Sequence, residues 1–505
     1  MIRRAKTVTG WVKGLPAADP RITSYKGIPF AAPPTGMNRW RAPQPAQSWA
    51  GDLEAYAFAN ISMQAVPGLG PENVYTREWN VDPDIPMGED CLYLNVWTNA
   101  MTAQERKPVL VWFFGGGLQC GNPAEMEFDG ERLARRDIVV VTVNYRVNVF
   151  GFLTCGEICE AQPEAPANFG LLDQQAGIRW VKENITAFGG DPEKITIAGQ
   201  SAGGGSVMSH LTSPQSEGLF QQVIVESGVM CAPYKQEVIK MISTLDDAKK
   251  LGESFLYFIG AANLNEAREM DAVYIRDKYL EFDRFFGTVI DGVFCIDEAY
   301  RAYMRGSKPD LPMLAGLTGD EFICPFPCDE SDESFQAKAR ELFGQEAETF
   351  REICFQDAQG DVKKALKNAE VRGIECTLRS MFETDSGTHY MYYFDNEIPG
   401  GDHMGSFHSV DLWFFFETLA KCWRPFTGRY YDEARILCNY WADFVKTGDP
   451  NGLDADGSRM PVWEKYSLEN PYCLHMTDKG IQMCRDEAKP LVRLITEQLK
   501  KDFGQ

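Results

Sequence analysis

Short runs of consecutive apolar residues recur along the chain, and most of them end at glycine or at polar turn residues. The clearest runs cover residues 108–114, 137–143, 195–198 and 222–226. Continuous apolar runs of this length, rich in β-branched residues, are typical of strands buried on both faces of a parallel sheet. Segment 168–188 carries apolar residues at helical spacing between two of these runs. The alternation predicts an α/β fold, a mostly parallel sheet flanked by helices.

The same kind of pattern extends toward both ends of the chain. Further strands are predicted at 7–12, 21–28, 91–97, 310–317 and 388–394. Helices are predicted at 124–136, 428–447 and 484–502.

Residues 230–380 differ from the rest of the chain. They are charged, helix-prone and largely without strand patterns apart from 310–317. No internal repeat, low-complexity tract or long linker separates this block from its surroundings. We therefore expect one domain over residues 1–505, in which about 230–380 forms a helix-rich insertion that shapes a pocket.

Composition and charge exclude several classes of protein. The 505 residues are 44% hydrophobic and 24% charged, as in globular proteins, and the net charge of -22 disfavours nucleic acid and anionic membranes as partners. The first residues lack the apolar segment of a secretory signal, and no apolar stretch has the roughly 18 residues that a membrane span needs. The 14 cysteines are scattered, which favours reduced thiols and a cytoplasmic location.

One motif carries chemistry by itself. Residues 199–203 read Gly-Gln-Ser-Ala-Gly, which matches the G-x-S-x-G nucleophile elbow, and they follow the predicted strand 195–198. The glycines permit the sharp turn from strand to helix that exposes the hydroxyl of Ser201. A serine in an ordinary strand-to-helix turn is the alternative interpretation. The helix-compatible sequence that follows favours the elbow.

A serine nucleophile needs a base, usually a histidine oriented by a carboxylate. Of the five histidines, His210 lies on the helix that leaves the elbow, and His389 and His475 lie in strand-like segments. The loop 400–411 holds His403 and His408 after the predicted strand 388–394, where a hydrolase with the order serine, acid, histidine requires its base.

The acid and the oxyanion donors have candidates at other strand ends. Asp320 and Glu321 follow the predicted strand 310–317, and either could orient the base. Glycines 115–117 end the strand 108–114, and their N–H groups, with that of Ala202, could bind a developing negative charge.

Taken together, the motifs resemble the type-B carboxylesterase family, which includes cholinesterases, bacterial para-nitrobenzyl esterases and the adhesion proteins called neuroligins. The matching stretches are residues 89–96, 112–117, 143–146, 168–173, 187–192, 199–204, 319–321 and 408–412. The resemblance implies the α/β-hydrolase fold. It also implies Ser201 as nucleophile, His408 as general base and acid, Glu321 as the orienting carboxylate, and Gly116, Gly117 and Ala202 as oxyanion donors.

The resemblance further implies two structural ion pairs, Arg39 with Glu89 and Arg146 with Asp173. Three positions depart from the family. Phe114 stands where many such esterases have histidine, which we expect to alter pocket shape. No cysteine precedes Cys91, so the disulfide of secreted relatives cannot form. Gln200 replaces the glutamate of cholinesterases, which argues against a choline ester as substrate.

We therefore predict a serine carboxylic ester hydrolase that works through an acyl-enzyme on short-chain or aryl esters. Acetylated or hydroxycinnamoylated polysaccharide fragments, thioesters and amides are variants of the same mechanism, and a non-catalytic neuroligin-like binding module is the alternative. The expected pocket residues are Phe114, Leu118, Gln200, Trp413 and Phe416. No cofactor or metal is expected, and the spaced pairs Cys155/Cys159 and Cys324/Cys328 are interpreted as reduced thiols. The sequence leaves the oligomeric state open.

Overall fold

The computed structural model describes residues 1–69, 74–79, 81–229, 232–234 and 242–503. Positions 230, 231 and 235–241 of the expected insertion lie outside the described residues. The strands are β1 (Arg4–Lys6), β2 (Trp11–Lys13), β3 (Leu15–Pro16), β4 (Thr23–Pro29), β5 (Asp52–Glu54), β6 (Tyr93–Thr98), β7 (Lys107–Phe113), β8 (Val139–Val143), β9 (Gly190–Gln200), β10 (Gln222–Glu226), β11 (Ile242–Thr244), β12 (Thr288–Ile290), β13 (Met313–Thr318), β14 (Ile323–Cys324), β15 (Val371–Arg372), β16 (His389–Asp395), β17 (Tyr472–Thr477) and β18 (Gly480–Arg485).

The α-helices connect these strands and cover them. They are α1 (Val74–Glu78), α2 (Glu131–Ala134), α3 (Asn148–Phe152), α4 (Gly156–Ala161), α5 (Phe169–Asn184), α6 (Ala202–Thr212), α7 (Leu245–Phe258), α8 (Leu264–Glu269), α9 (Ala272–Phe282), α10 (Ala299–Met304), α11 (Asp332–Phe343), α12 (Ala347–Phe355), α13 (Val362–Asn368), α14 (Gly373–Thr384), α15 (Leu412–Phe415), α16 (Arg429–Thr447) and α17 (Pro490–Lys501).

A sheet of 11 strands forms the centre of the molecule, in the order β18-β17-β16-β13-β10-β9-β7-β8-β6-β4-β3. From β17 to β8 every neighbouring pair is parallel, whereas β18 and the strands from β6 to β3 pair antiparallel. The parallel strands therefore end at one edge of the sheet, where α/β proteins bind their ligands.

Strand β7 shows why the apolar runs form buried strands. Val109 and Val111 pack into the hydrophobic cluster on one face of the sheet, and Leu110 and Trp112 pack into the cluster on the other. Because successive side chains of a strand point to opposite faces, a strand covered on both sides must be apolar throughout. All four residues are at most 1% exposed.

Three segments differ from the sequence-based expectation. The run 7–12 is split by a turn in which the Thr7 N–H donates to the Gly10 carbonyl, so that β1 and β2 form a hairpin. Of the predicted helix 124–136, only α2 and a short 3-10 turn at Met126–Phe128 are helical. The predicted helix 484–502 begins at Pro490, and strand β18 precedes it. Proline at the first helical position has the φ that a helix start requires.

Over its described residues, the block 230–380 is mainly helical. It contains α7 to α13 and most of α14, central strand β13, and two small pairs of strands, parallel β11/β12 and antiparallel β14/β15. Helix α10 packs against α6, which follows the predicted elbow. This block thus packs against the helix that follows the candidate nucleophile.

Candidate active site

Ser201 lies at the junction of β9 and α6 in a backbone conformation that serine rarely adopts. Its φ of 55° and ψ of -125° are strained for a residue with a side chain. Its N–H donates to the Glu226 carbonyl at 2.9 Å, which anchors the turn to the neighbouring strand β10. This hydrogen bond to the sheet keeps Ser201 in its strained conformation. The residue lies at the carboxyl edge of the sheet.

Two glycines make this turn sterically possible. A methyl group on Gly203 would collide with the carbonyl oxygens of Phe113 and Phe114, and one on Gly199 would collide with the backbone of Gly203. Helix α6 can start this close to β7 and β9 only because neither residue has a side chain. The elbow predicted from the motif has the strand, turn and helix that the motif requires.

The two other candidate side chains meet in space. His408 Nδ1 lies 2.8 Å from Glu321 Oε2, and both residues are at most 5% exposed. Glu321 Oε1 accepts a hydrogen bond from Thr318 Oγ1 at 3.0 Å. The carboxylate is thus fixed by the last residue of β13 and faces the imidazole.

The charge of Glu321 is maintained despite its burial. Burial acts to raise the pKa of this carboxyl, but the facing imidazole of His408 and the hydrogen bonds from His408, Ser227 and Thr318 outweigh it and lower the pKa below its ordinary value. An ionised carboxylate beside Nδ1 favours the tautomer with the proton on that nitrogen.

The other candidates from the sequence lie elsewhere. His403 is exposed, and the exposed Asp320 accepts a hydrogen bond from the Ser406 N–H at 2.8 Å. His210 contacts Ser216 and Gln174 through its two ring nitrogens, and burial lowers its pKa to about 3. Asp320 thus binds the loop that carries His408, and His210 lies in the core beneath the site.

His389 and His475 lie in strands β16 and β17, as their sequence context suggests. His389 stacks on Phe382 with ring centroids 4.4 Å apart. His475 is tilted against Tyr393 at 5.5 Å. Both rings therefore serve in packing.

Gln200 contacts the histidine in a way that the sequence did not indicate. Its Nε2 lies 3.1 Å from His408 Nε2, and because an amide nitrogen only donates, the imidazole nitrogen accepts. Gln200 is 3% exposed and lines the same cavity as Ser201. The lone pair that a general base would use is thus occupied by the residue next to the serine.

The predicted oxyanion donors line the cavity beside Ser201. Gly116 and Gly117 have φ values of 102° and 62°, which glycine adopts without strain. Ala202 opens α6, and the first N–H groups of a helix have no partner within it. Gly116, Gly117 and Ala202 thus line the part of the cavity where their N–H groups could donate to a negatively charged oxygen.

The cavity has a volume of about 540 Å³ and opens above the carboxyl ends of β7, β9 and β10. Leu118 and Gln200 of the expected pocket line it, together with His408 and Phe322. The ring of Phe322 lies 4.5 Å from that of His408. Cys324, one of the spaced cysteines, also contributes to the wall.

Phe114, Trp413 and Phe416, also expected in the pocket, lie instead in the core behind it. Phe114 stacks on Tyr145 at 4.2 Å, and Phe416 contacts Trp112 edge-on at 4.9 Å. Trp413 donates its indole N–H to Glu78 at 3.3 Å. A run of apolar residues in the sequence does not show which of them line a pocket and which pack in the core beneath it.

Both ion pairs implied by the resemblance are present. Arg39 Nε lies 2.6 Å from Glu89, and Arg146 Nη2 lies 2.7 Å from Asp173. The second pair is buried, so breaking it would leave an uncompensated charge in the core.

Among the described residues, one group of potential metal ligands lies within 4.8 Å, and it consists of Cys473, His475 and Asp486. It includes neither of the spaced cysteine pairs. Cys155 and Cys324 are buried free thiols, and their partners Cys159 and Cys328 are partly buried free thiols. Over the part of the chain that the structure describes, no helix is both long and apolar enough to cross a membrane.

A model of the carboxylesterase family matches residues 3–491. The chain belongs to the carboxylesterase family. This carboxylesterase is 31% identical to the cholinesterase of Mus musculus, over 94% of the chain and 83% of that protein. It is 32% identical to the para-nitrobenzyl esterase of Bacillus subtilis strain 168, over 88% of the chain and 90% of that protein.

Solved structures agree with this assignment. The carboxylesterase resembles a structure titled PNB esterase with a TM-score of 0.78 and 27% identity, over 98% of the chain and 99% of that structure. It resembles carboxylesterase EST55 of Geobacillus stearothermophilus with a TM-score of 0.75 and 28% identity, over the full length of both chains. The fold is therefore the α/β-hydrolase fold.

Proposed function

We propose that the enzyme hydrolyses carboxylic esters through an acyl-enzyme, with Ser201 as nucleophile, His408 as general base and acid, and Glu321 as the orienting carboxylate. The buried contact of 2.8 Å between Glu321 and His408, which lines the same cavity as Ser201, carries this proposal. An imidazole held by an ionised carboxylate can take a proton on Nε2 and be stabilised as imidazolium.

The reaction would begin when His408 Nε2 takes the proton of Ser201 as the hydroxyl attacks the ester carbonyl. His408 then protonates the leaving alcohol, and an acyl-serine forms. Water repeats the two steps and releases the acid. Before the first step, the amide group of Gln200 must move away from His408 Nε2. The single lone pair of this nitrogen accepts one hydrogen, and the serine hydroxyl must supply it.

The negative oxygen of each tetrahedral intermediate would be stabilised by the N–H groups of Gly116, Gly117 and Ala202. Their place beside Ser201 on the cavity wall supports this role. Loss of one such donor typically costs about 10²–10³ in rate.

The size of the cavity favours short-chain or aryl esters as substrates. About 540 Å³ is within the range of pockets for small organic molecules, and Leu118 and Phe322 give its wall an apolar character. Acetylated or hydroxycinnamoylated sugars, thioesters and amides share the tetrahedral intermediate and are variants of this proposal.

The test is hydrolysis of a p-nitrophenyl ester series from acetate to long-chain acyl groups, with Ser201→Ala as the matched variant. We expect activity to be highest with short acyl chains. Ser201→Ala should have no activity, although it should unfold at the same temperature as the wild type. Wild-type rates in a pure preparation of Ser201→Ala would refute the assignment. Absence of turnover by the folded wild type would favour a binding module.

We also propose that the protein works in a reducing, cytoplasmic environment. The cysteines that the structure describes are free thiols, and burial raises the pKa of Cys91 above its ordinary value and thereby suppresses its reactive thiolate. If the free thiols are blocked in denaturant during isolation and the protein is then reduced, titration should find no new thiols, because no disulfide was present.

A further inference from the structure

Four side chains of the types that bind zinc lie on one face of the hairpin formed by β17 and β18, at the edge of the central sheet. In this hairpin Cys473 lies directly opposite Cys484. Because side chains alternate between the faces of a strand, His475 shares the face of Cys473. Asp486 shares the face of Cys484, and its N–H donates to the Pro471 carbonyl at 2.7 Å, which continues the ladder. The hairpin cluster consists of Cys473, His475, Cys484 and Asp486.

The side chains between them occupy the opposite face of the sheet. Leu474 and Met476 are buried in the hydrophobic cluster on that face, and Ile481 and Met483 pack against the same cluster. Cys473 belongs to the hydrophobic cluster on the other side. The hairpin thus uses one face for apolar packing and brings two thiols, an imidazole and a carboxylate together on the other.

The potential ligand atoms of the hairpin cluster converge. One atom each of Cys473, His475 and Asp486 lie within 4.8 Å of one another, and His475 Nε2 lies 3.9 Å from Asp486 Oδ1. Tetrahedral zinc with bonds of about 2.0–2.3 Å places its ligand atoms about 3.5 Å apart, so small side-chain rotations would close the site. Cys484 can supply the fourth ligand, because directly opposite residues have Cβ atoms about 4.5–5.5 Å apart.

Two of these donor atoms are not used by the rest of the protein. The face of the His475 ring packs on Tyr393, whereas its Nε2 is buried and has no hydrogen-bond partner within the described part of the chain. Cys473 is a buried free thiol, and its Sγ lies 4.0 Å from the Leu474 carbonyl, which is too far for a strong hydrogen bond. A buried nitrogen without a partner costs free energy that a metal bond would recover. The side chains of His475 and Asp486 are 25% and 22% exposed, which leaves an ion a path from solvent.

The carboxylate is held in the way that metal-binding carboxylates are. Arg379 donates to Asp486 Oδ2 and, through Nη1, to the Asp486 carbonyl at 3.2 Å, so that Oδ1 is the oxygen facing His475. Arg379 also binds Glu375 at 3.2 Å, and Glu375 is bound by Arg372 at 3.0 Å. Two thiolates, one carboxylate and Zn²⁺ together carry one negative charge, which the guanidinium of Arg379 would balance.

We propose that the hairpin cluster is a structural zinc site that fastens β18 to β17. Thiolate and imidazole ligands favour zinc over magnesium and calcium, which prefer oxygen ligands. Four protein ligands fill a tetrahedral shell and leave no position for a substrate, so the role is structural. The spacing of the cysteines does not indicate this site, because its ligands meet only when the hairpin forms. The proposal does not depend on the ester hydrolysis proposed above.

The first experiment measures metal binding by the whole protein. Metal-free protein, kept reduced, is titrated with Zn²⁺ in competition with a chromophoric chelator, and we expect one tight site per chain. Co²⁺ in place of Zn²⁺ should give a thiolate-to-cobalt charge-transfer band and the intense visible bands of tetrahedral coordination. Absence of tight zinc binding, or a cobalt complex without the thiolate band, would overturn the proposal. Both results come from the wild type and need no variant to fold.

Variants locate the site. Cys484→Ser and His475→Gln should each lower the zinc affinity at least about 100-fold, since loss of an outer-shell partner alone costs about 10- to 100-fold. Cys328→Ser is the matched control, because Cys328 is also a partly buried free thiol but lies outside the hairpin. It should bind zinc as the wild type does. Wild-type affinity in Cys484→Ser, or loss of binding in Cys328→Ser alone, would place the zinc elsewhere and refute this site.

Stability provides a second readout. A metal that binds only the folded protein raises the melting temperature as its concentration exceeds the Kd. Zinc should therefore raise the melting temperature of the wild type and of Cys328→Ser, and leave that of Cys484→Ser unchanged. An equal rise in all three proteins would contradict the role of the hairpin cluster.

Discussion

Gln200 is the residue whose contact most directly affects the proposed chemistry. Its amide nitrogen faces His408 Nε2 at 3.1 Å, and an amide N–H cannot accept a hydrogen bond from this ring nitrogen after the nitrogen has taken the proton of Ser201. A carboxylate at the same place would accept a hydrogen bond from the imidazolium. The residue before the nucleophile thus determines whether a hydrogen-bond donor or an acceptor faces the base.

We predict that Gln200→Glu shifts the acidic limb of the pH profile of kcat/KM toward higher pH, by about one unit. The carboxylate stabilises the protonated and inactive imidazolium, so that the free base appears only at higher pH. Gln200→Ala, which removes the amide without adding charge, is the control. A profile of Gln200→Glu that overlays both the wild type and the control would contradict this account.

At the scale of single residues, the sequence predicts which residues take part in the chemistry better than it predicts which residues touch each other. The loop 400–411 offers two histidines, and the resemblance favours His408 over His403, whereas composition cannot separate them. The contact of Gln200 with His408 joins residues 208 positions apart and has no local pattern.

The elements around the elbow are packed so closely that the backbone of α6 touches β7. Gly203 lies against the carbonyls of Phe113 and Phe114, whereas a methyl group on Gly205, in the same helix, would only reach van der Waals distance of Gly228 O at 3.4 Å. The two glycines therefore serve different purposes, although both lie in the first turns of one helix.

We predict that Gly203→Ala destabilises the protein by several kcal/mol, since backbone atoms cannot move aside as a side chain can. Gly205→Ala should be neutral or stabilising by up to about 1 kcal/mol, because alanine favours the helix. Denaturant unfolding of the two variants checks this contrast. Equal losses at both positions would show that the elbow is not limited by this contact.

The predicted elements were most accurate where apolar periodicity was strong. Strands β7, β8 and β10 and helices α5 and α16 match their predicted segments within a few residues. The prediction of one helix over 484–502 is wrong, because this segment contains the end of strand β18 as well as helix α17. The order of the 11 strands depends on contacts between distant segments, which hydrophobic patterns do not encode.

Considered as a whole, the molecule buries acidic groups beneath its candidate site. Asp411 and Glu226 are fully buried and interact unfavourably with each other. Asp411 accepts a hydrogen bond from the Tyr392 hydroxyl at 2.8 Å, and Trp441 donates to Glu226 at 2.7 Å. Glu125 and Glu127, which line the cavity, are two further carboxyl groups whose pKa is raised by burial. The net charge of -22 counts all of them as ionised.

These acids make stability depend on pH. Burial raises the pKa of Asp411 from 3.8 to about 7, so the folded state binds its proton more tightly than the unfolded chain does. The stabilisation of the folded state by this proton is complete below pH 3.8, and it is lost as the pH rises through about 7. We predict that Asp411→Asn, which cannot ionise, raises the melting temperature above pH 7 and leaves it unchanged in acid.

The measurement is a set of thermal unfolding scans at one scan rate over a pH series, because a chain of this size can unfold irreversibly. The difference in melting temperature between Asp411→Asn and the wild type should grow between pH 3.8 and about 7 and then level off. Asp432→Asn, an exposed position in α16, provides the control for removing one charge from an acidic protein. A constant difference, or one that shrinks with rising pH, would mean that Asp411 is ionised in the folded protein without cost.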